Sequence, residues 1–146
     1  MFFGNWQEKQ YNPNQRISGS IDDQSRVIEL KRNRSGHYVA TGAINDKPIV
    51  FLLDTGATTV AVPEALAREI GLQRGQAVSV MTANGIARAY TTEIQSLELG
   101  KITLENVRAA ITPGMQGTQV LLGMSALKQL DFNQSGDVLT LTQYLN

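Results

Sequence analysis

Apolar and polar residues alternate along most of the chain, in short runs broken by turn-forming residues, and only two stretches repeat with a helical period. From Arg26 to Arg32, Ile28 and Leu30 fall on one face and Glu29 and Lys31 on the other, which predicts a half-buried strand. Asn33 to Gly36 reads as a turn, and His37 to Ile44 as a second strand. Asn45-Asp46-Lys47-Pro48 is a tight connection, from which Ile49 to Leu53 returns as an apolar strand buried on both faces. Val78 to Tyr90 reads as a hairpin about Asn84-Gly85, a pair suited to the positive φ angles of a type I′ turn. Thr91 to Leu99 continues as a strand, Gly100-Lys101 turns it back, and Ile102 to Thr112 follows with Val107, Ala109 and Ile111 on one face. Pro113 to Gly117 is a loop, either a plain connector or part of a cleft rim. Asn133 to Gly136 reads as a turn before a last strand over Asp137 to Gln143.

The helical stretches are short. Pro63 suits a first helical position, Leu66 and Ile70 share a face in Glu64 to Ile70, and Gly71 suits the C-terminal cap. Met124 to Leu130 is the second. Many strands, one or two short helices and no internal repeat predict a mostly β fold closed into a barrel.

A chain of 146 residues, 42% hydrophobic, is of a size for one domain with a real core. Its formal charge is zero and no basic cluster occurs, which argues against a nucleic acid partner. The lack of cysteine excludes disulfides and thiolate chemistry, and no metal or cofactor is expected. No apolar run is long enough to span a membrane. Met1-Phe2-Phe3-Gly4-Asn5-Trp6 is apolar and aromatic, and reads either as the trailing edge of a membrane anchor or as a flexible terminus. Gln7 to Asp23 is polar and reads as a linker, with Asp22-Asp23 as a solvated turn rather than a cation site. The expected organisation is a linker over 1–25 and one domain over 26–146.

The chemistry concentrates where the apolar strand Phe51-Leu52-Leu53 ends on Asp54-Thr55-Gly56-Ala57. Burying a carboxylate there costs on the order of several kcal/mol unless partners receive it. Gly56 allows a sharp loop in which backbone N–H groups serve as those partners. His37, the one histidine, has no Cys and no G-x-S-x-G element to work with, so it reads as structural or exposed. Asp131 and Asp137 flank turns and read as non-catalytic.

Asp54-Thr55-Gly56-Ala57 after a hydrophobic strand resembles the active-site loop of the retropepsin-like aspartic proteases. Val120-Leu121-Leu122-Gly123, leading into a helical stretch, resembles the segment that packs beside that loop. The resemblance runs from about Arg26 to Tyr144 and is closest to the single-domain bacterial members of the clan. It implies a retropepsin-like closed β-barrel acting as a two-fold homodimer, with Asp54 catalytic in an active-site loop of Thr55, Gly56 and Ala57. It implies a flap at Met81, Thr82, Ala83, Asn84, Gly85 and Ile86, and loop support from Leu121, Leu122 and Gly123. The substrate would be a peptide or protein. Hydrolysis by carboxylates needs two of them, one ionised and one protonated, and the chain has one Asp-Thr-Gly, so each subunit would contribute one Asp54. In the family the motif's Thr hydrogen-bonds across the two-fold axis, a role that would fall to Thr55, and terminal strands interleave, for which Val138 to Gln143 is the candidate. Ala57 stands where pepsin-like enzymes usually carry a Ser whose hydroxyl stabilises the ionised carboxylate, which implies activity at mildly rather than strongly acidic pH. Bacterial relatives often carry an anchor upstream, which implies a membrane-anchored protease domain in the periplasm. On the residues alone two other readings stay open: a non-catalytic module that captures extended peptides by strand addition, and a dimerisation domain without a ligand.

Overall fold

The computed structural model describes residues 9–82 and 85–145. Among the described residues, which also include helical residues 9–11, eleven strands and two short helices follow one another as β1 (Ser18–Ile21), β2 (Ser25–Lys31), β3 (Val39–Ile44), β4 (Lys47–Leu53), β5 (Val60–Pro63), α1 (Glu64–Ile70), β6 (Ala77–Thr82), β7 (Gly85–Leu99), β8 (Ile102–Thr112), β9 (Gln119–Leu122), α2 (Met124–Leu127), β10 (Asp131–Ser135) and β11 (Val138–Tyr144).

The larger sheet runs β3-β4-β9-β5-β8-β7-β6, and a further pairing of Ala43 and Ile44 with Glu98 and Leu97 joins β3 to β7. That pairing closes the expected barrel and leaves β6 outside it. The interior is filled by Phe51, Ile44, Ile94, Leu97, Leu99, Ile102, Val120 and Leu122, all essentially inaccessible to water. Each contributes roughly 1.5–3 kcal/mol relative to staying exposed. Gly42 is required where β3 meets β7, because a Cβ there would lie 2.2 Å from the carbonyl oxygen of Glu98. The turn from β3 to β4 places Asn45 and Asp46 at φ 48° and 70°, a conformation these residue types tolerate.

The second sheet runs β1-β2-β11-β10. Its inner face lays Ile28, Leu30 and Leu141 into the common core, while its outer face is largely polar. Four sequence expectations change here. Part of the polar stretch read as a linker belongs to the fold, because β1 within it pairs antiparallel with β2. Asn133 to Ser135, read as turn, pair as strand with β11, and the turn is confined to Gly136 and its neighbours, with Gly136 at φ 62°. The last strand has β2 on one side and β10 on the other, so neither of its edges is open to interleave with a second chain. Pro63 ends β5 and caps α1 instead of opening it.

The two sheets are stitched by the polypeptide before β1. Asn14 is 3% exposed, and every polar group of its side chain is used. Its Nδ2 donates to the carbonyls of Lys31 (2.8 Å) and Val39 (2.9 Å), and its Oδ1 accepts from the Lys31 N–H (2.8 Å). Its carbonyl accepts from the Thr41 N–H at 3.1 Å. Asn12 donates to the Thr41 hydroxyl, Asn33 to the Tyr11 carbonyl, and the Tyr11 hydroxyl to Gln119. His37 is exposed, and its backbone N–H donates to the Asn33 Oδ1. Asp22 caps the β1–β2 turn by accepting from the N–H groups of Gln24 and Ser25, which hold its carboxyl below the usual carboxylate value. Replacing Asn14 by Ala leaves buried backbone groups of both sheets without partners. It should lower the unfolding free energy by roughly 1–3 kcal/mol, read as a lower urea midpoint at unchanged slope.

Candidate active site

Strand β4 carries the carboxylate to its place. Its run Ile49-Val50-Phe51-Leu52-Leu53 is sandwiched between β3, antiparallel, and β9, parallel, with Leu52 beside Leu121 and Leu53 beside Leu122. The ladder ends in two further bonds, Leu53 N–H to the Tyr38 carbonyl (3.0 Å) and Asp54 N–H to the Leu122 carbonyl (3.1 Å). Asp54 therefore leaves the barrel at a defined point, half-buried. Its Oδ1 accepts the Gly56 N–H at 2.9 Å, and its carbonyl accepts the Ala57 N–H at 3.2 Å. A Cβ on Gly56 would stand 3.2 Å from that same Oδ1, so a side chain would crowd the carboxylate it serves. Thr55, Gly56 and Thr58 face solvent.

The loop is held from below by Leu121-Leu122-Gly123 and the helix that follows. A Cβ on Gly123 would lie 2.2 Å from the Thr59 carbonyl oxygen and 2.8 Å from that of Ala57, so only glycine lets the two backbones touch. The first N–H groups of α2, which have no acceptor within a helix, donate instead to the loop: Met124 to the Ala57 carbonyl (2.8 Å) and Ser125 to that of Thr58 (3.1 Å). Ser125 is a residue that sequence reasoning missed. Its buried hydroxyl accepts from the Val60 N–H (3.0 Å) and donates to the Arg108 carbonyl (2.7 Å), joining β5, β8 and α2. Its signal was a hydroxyl two positions after the packed glycine.

The hairpin β6–β7 has a fixed base. The N–H of Gly75 donates to the Thr91 carbonyl, that of Thr91 to the Gln76 carbonyl, and that of Gln76 to the Thr91 hydroxyl. The Arg74 guanidinium lies 4.0 Å from the Tyr90 ring centre and also pairs with Glu64 of α1. Toward the tip, Met81 pairs with Ile86 and Thr82 with Gly85, so Gly85, at φ 102°, is the first paired residue after the turn rather than one of its central residues. Ala83 and Asn84 lie outside the described residues. Met81 and Ile86 are 65% and 74% exposed and share the solvent face with Ser79 and Arg88. The other face carries Val78, Val80, Ala87 and the fully buried Ala89.

The structure thus brings Asp54, Thr55, Gly56 and Ala57 together with Leu121, Leu122 and Gly123, and places Met81 and Ile86 on a separate hairpin with their side chains turned outward. Two grooves open elsewhere, one of about 800 Å³ between 71–75 and β7–β8, the other of about 570 Å³ beside Arg26, Glu105 and Gln143. Asp54 lines neither. Asp131 and Asp137 are exposed at the β10–β11 hairpin. Among the described residues, no group of three His, Asp or Glu side chains is placed to hold a metal ion.

Comparison with known proteins agrees with this geometry. Residues 40–129 match the family model described as "gag-polyprotein putative aspartyl protease". The chain is 36% identical over 116 residues to an uncharacterized protein of the cobV 5′ region of a Sinorhizobium species, covering 77% of this chain and 49% of that one. It is 28% identical over 105 residues to an uncharacterized protein of Rickettsia prowazekii, covering 70% and 45%. The chain therefore spans about half the length of these curated relatives. Among solved structures it is similar to a retropepsin-like aspartic protease from Rickettsia conorii, at 28% identity and TM-score 0.67 over 88% of this chain and 96% of that one. The EIAV protease in complex with the inhibitor HBY-793 shares the fold at 20% identity and TM-score 0.54, over 68% and 92%. The match over residues 40–129 embraces the Asp54 loop, the hairpin and the Leu-Leu-Gly support, and the chain belongs to this aspartyl protease family and has the retropepsin-like fold.

Proposed function

We propose that the chain is an aspartic endopeptidase whose working form is a homodimer, with one Asp54 from each subunit in a single cleft. The observation that carries this reading is the Asp54 loop. A half-buried carboxylate sits at the open end of a buried strand, its Oδ1 takes a backbone N–H, and Thr55 and Gly56 beside it stand free for a partner. The sequence holds one Asp-Thr-Gly, so the second carboxylate comes from a second chain.

Across such a pair, like charges a few ångströms apart resist joint ionisation, and the dyad holds one proton. The ionised carboxylate takes a proton from water as the water oxygen bonds to the scissile carbonyl carbon. The protonated carboxyl gives its proton to the carbonyl oxygen. The resulting diol collapses when a carboxyl proton passes to the amide nitrogen and the C–N bond breaks. The diol proton returns to the other carboxylate, so the dyad ends with the one proton it began with. Thr55 is assigned to hydrogen-bonding across the two-fold axis, and the β6–β7 hairpin to closing over the peptide, with Val80 and Ala87 on the side turned toward it. The fixed hairpin base and the exposed Met81 and Ile86 support that motion.

Replacing Asp54 by Asn should reduce cleavage of a peptide library by at least roughly a thousandfold and leave the melting temperature unchanged; parental cleavage by this variant overturns the assignment. A dimeric site also makes the dead subunit poisonous. Mixed in equal parts with the parent at fixed total protein, Asp54→Asn should leave about a quarter of the activity, whereas independent monomers would leave about half. Gly123→Ala forces the loop away from its support and should cost about a hundredfold in cleavage, with a lower melting temperature. Gly114→Ala, where an added methyl meets nothing within 4 Å, should change neither.

A further inference from the structure

We infer that the smaller groove, beside Arg26 and Gln143, binds the carboxylate end of a peptide chain, with Arg26 taking the carboxylate and Gln143 the N–H of the same terminal residue. Asp54 does not line this groove, and the binding needs none of its chemistry. Only the use of the site, holding ends of the kind that every cut creates, rests on the activity proposed above.

The groove, of about 570 Å³, is lined by Arg26, Thr103, Leu104, Glu105, Gln129 and Gln143. Alternation along the strands puts Arg26 on the face of Ile28 and Leu30, and Gln143 on the face of Leu141, the side of the second sheet turned to the barrel. The two residues oppose each other across the β2–β11 ladder, with Cβ atoms about 4.5–5.5 Å apart. Ligand clefts run from about 300 to 1,000 Å³, so this one has room for more than a single amino acid.

What marks the groove is a donor and an acceptor side by side without partners. Among the described residues three side-chain polar atoms are buried and make no hydrogen bond: Arg26 Nε, Gln143 Oε1 and the Tyr38 hydroxyl. Such atoms are costly and rare in folded proteins, yet two of these three meet in one groove. The Gln143 amide is fixed, because its Nε2 donates to the Thr103 carbonyl at 2.8 Å, so Oε1 is presented as an acceptor. The Arg26 guanidinium enters no ion pair among the described residues, where the pairs are Glu64 with Arg68 and Arg74.

These atoms select the ligand. The planar edge of a guanidinium, Nε–H with a neighbouring Nη–H, matches the two oxygens of a carboxylate. Gln143 Oε1 asks for an N–H close to that carboxylate, and the terminal residue of a peptide carries both groups on one carbon. A phosphate or sulfate would set oxygens against Gln143 Oε1 and the exposed Glu105, acceptor against acceptor. A cation alone would leave Arg26 without a counter-charge. A free amino acid shares the carboxylate and would bring its ammonium to Glu105, but it fills only part of the volume.

Small probes test this. N-acetylalanine, its amide and free alanine are titrated into the parent and Asp54→Asn proteins while NMR follows the side-chain N–H resonances of Arg26 and Gln143. N-acetylalanine should shift both resonances saturably and alike in the two proteins, with a dissociation constant in the millimolar range. Its amide, which lacks the carboxylate, should bind at least roughly tenfold more weakly. Arg26→Lys keeps the charge but loses the planar edge, and should weaken N-acetylalanine binding by about tenfold. Arg26→Met should abolish binding at an unchanged or higher melting temperature, because no folded partner is lost. Equal shifts from acid and amide, full binding by Arg26→Lys, or no shift at either residue overturns the site and leaves the Asp54 assignment standing. A fall in melting temperature in both Arg26 variants assigns Arg26 to the fold and likewise overturns it. Alanine binding more tightly than N-acetylalanine, with that advantage lost in Glu105→Gln, overturns the peptide end in favour of a free amino acid. Parental cleavage by Asp54→Asn overturns the dyad and leaves this site standing.

Discussion

Everything in the fold answers to one demand, the delivery of a carboxylate from a dry strand to a wet surface. The parallel pairing of β4 with β9 meets it. Parallel neighbours cannot be joined by a tight turn, so the chain travels through β5, α1, the hairpin and β8 before it returns. The two strands end at the same level, one in Asp54 and the other in Gly123. Where they end, backbone meets backbone: two amides of α2 take the loop carbonyls, and the missing side chain of Gly123 makes room for them. The loop is thereby placed by main-chain groups, which hold position more rigidly than long side chains because they have no rotamers to lose.

This arrangement divides the molecule by stiffness. The loop below is held by closed backbone ladders and by the Ser125 hydroxyl, buried and satisfied on both sides. The β6–β7 hairpin is anchored at its base by Arg74, Gly75 and Thr91 and leaves the barrel as a two-stranded ribbon whose outer face carries Met81 and Ile86 in water. Two-stranded ribbons are marginal on their own, so this part of the chain draws its order from its base. The molecule thus combines a loop held by closed backbone ladders with a hairpin secured at its base.

The barrel and the Asp54 loop were legible in the sequence because burial writes them plainly. Ile49 to Leu53 is apolar on both faces, and the motif after it changes character within two residues. The helix cap at Gly71 and the β7–β8 hairpin were visible for the same local reasons. What stayed hidden depended on partners distant in the chain. Asn14 looks like any loop asparagine until Lys31 and Val39 are seen to close around it. Ser125 gains its meaning from Val60 and Arg108. The β10 residues Asn133 to Ser135 read as turn because a strand exposed on both faces needs no apolar alternation, and Asn133-Gln134-Ser135-Gly136 carries turn-forming residues. β1 escaped for a similar reason, with four exposed residues and no hydrophobic period.

The strap from Tyr11 to Asn14 gives the barrel a mechanical property as well as a structural one. Tension arriving along the polypeptide that precedes Tyr11 is shared among the Asn14, Asn12 and Tyr11 contacts, which spread it over β2, β3 and the start of β9. The Tyr11 contact with Gln119 lies at the end of β9 away from Gly123, and the Asn14 contact with Val39 lies beside Leu52. A pull from that direction is taken up by hydrogen bonds to both sheets rather than by the Asp54 loop itself.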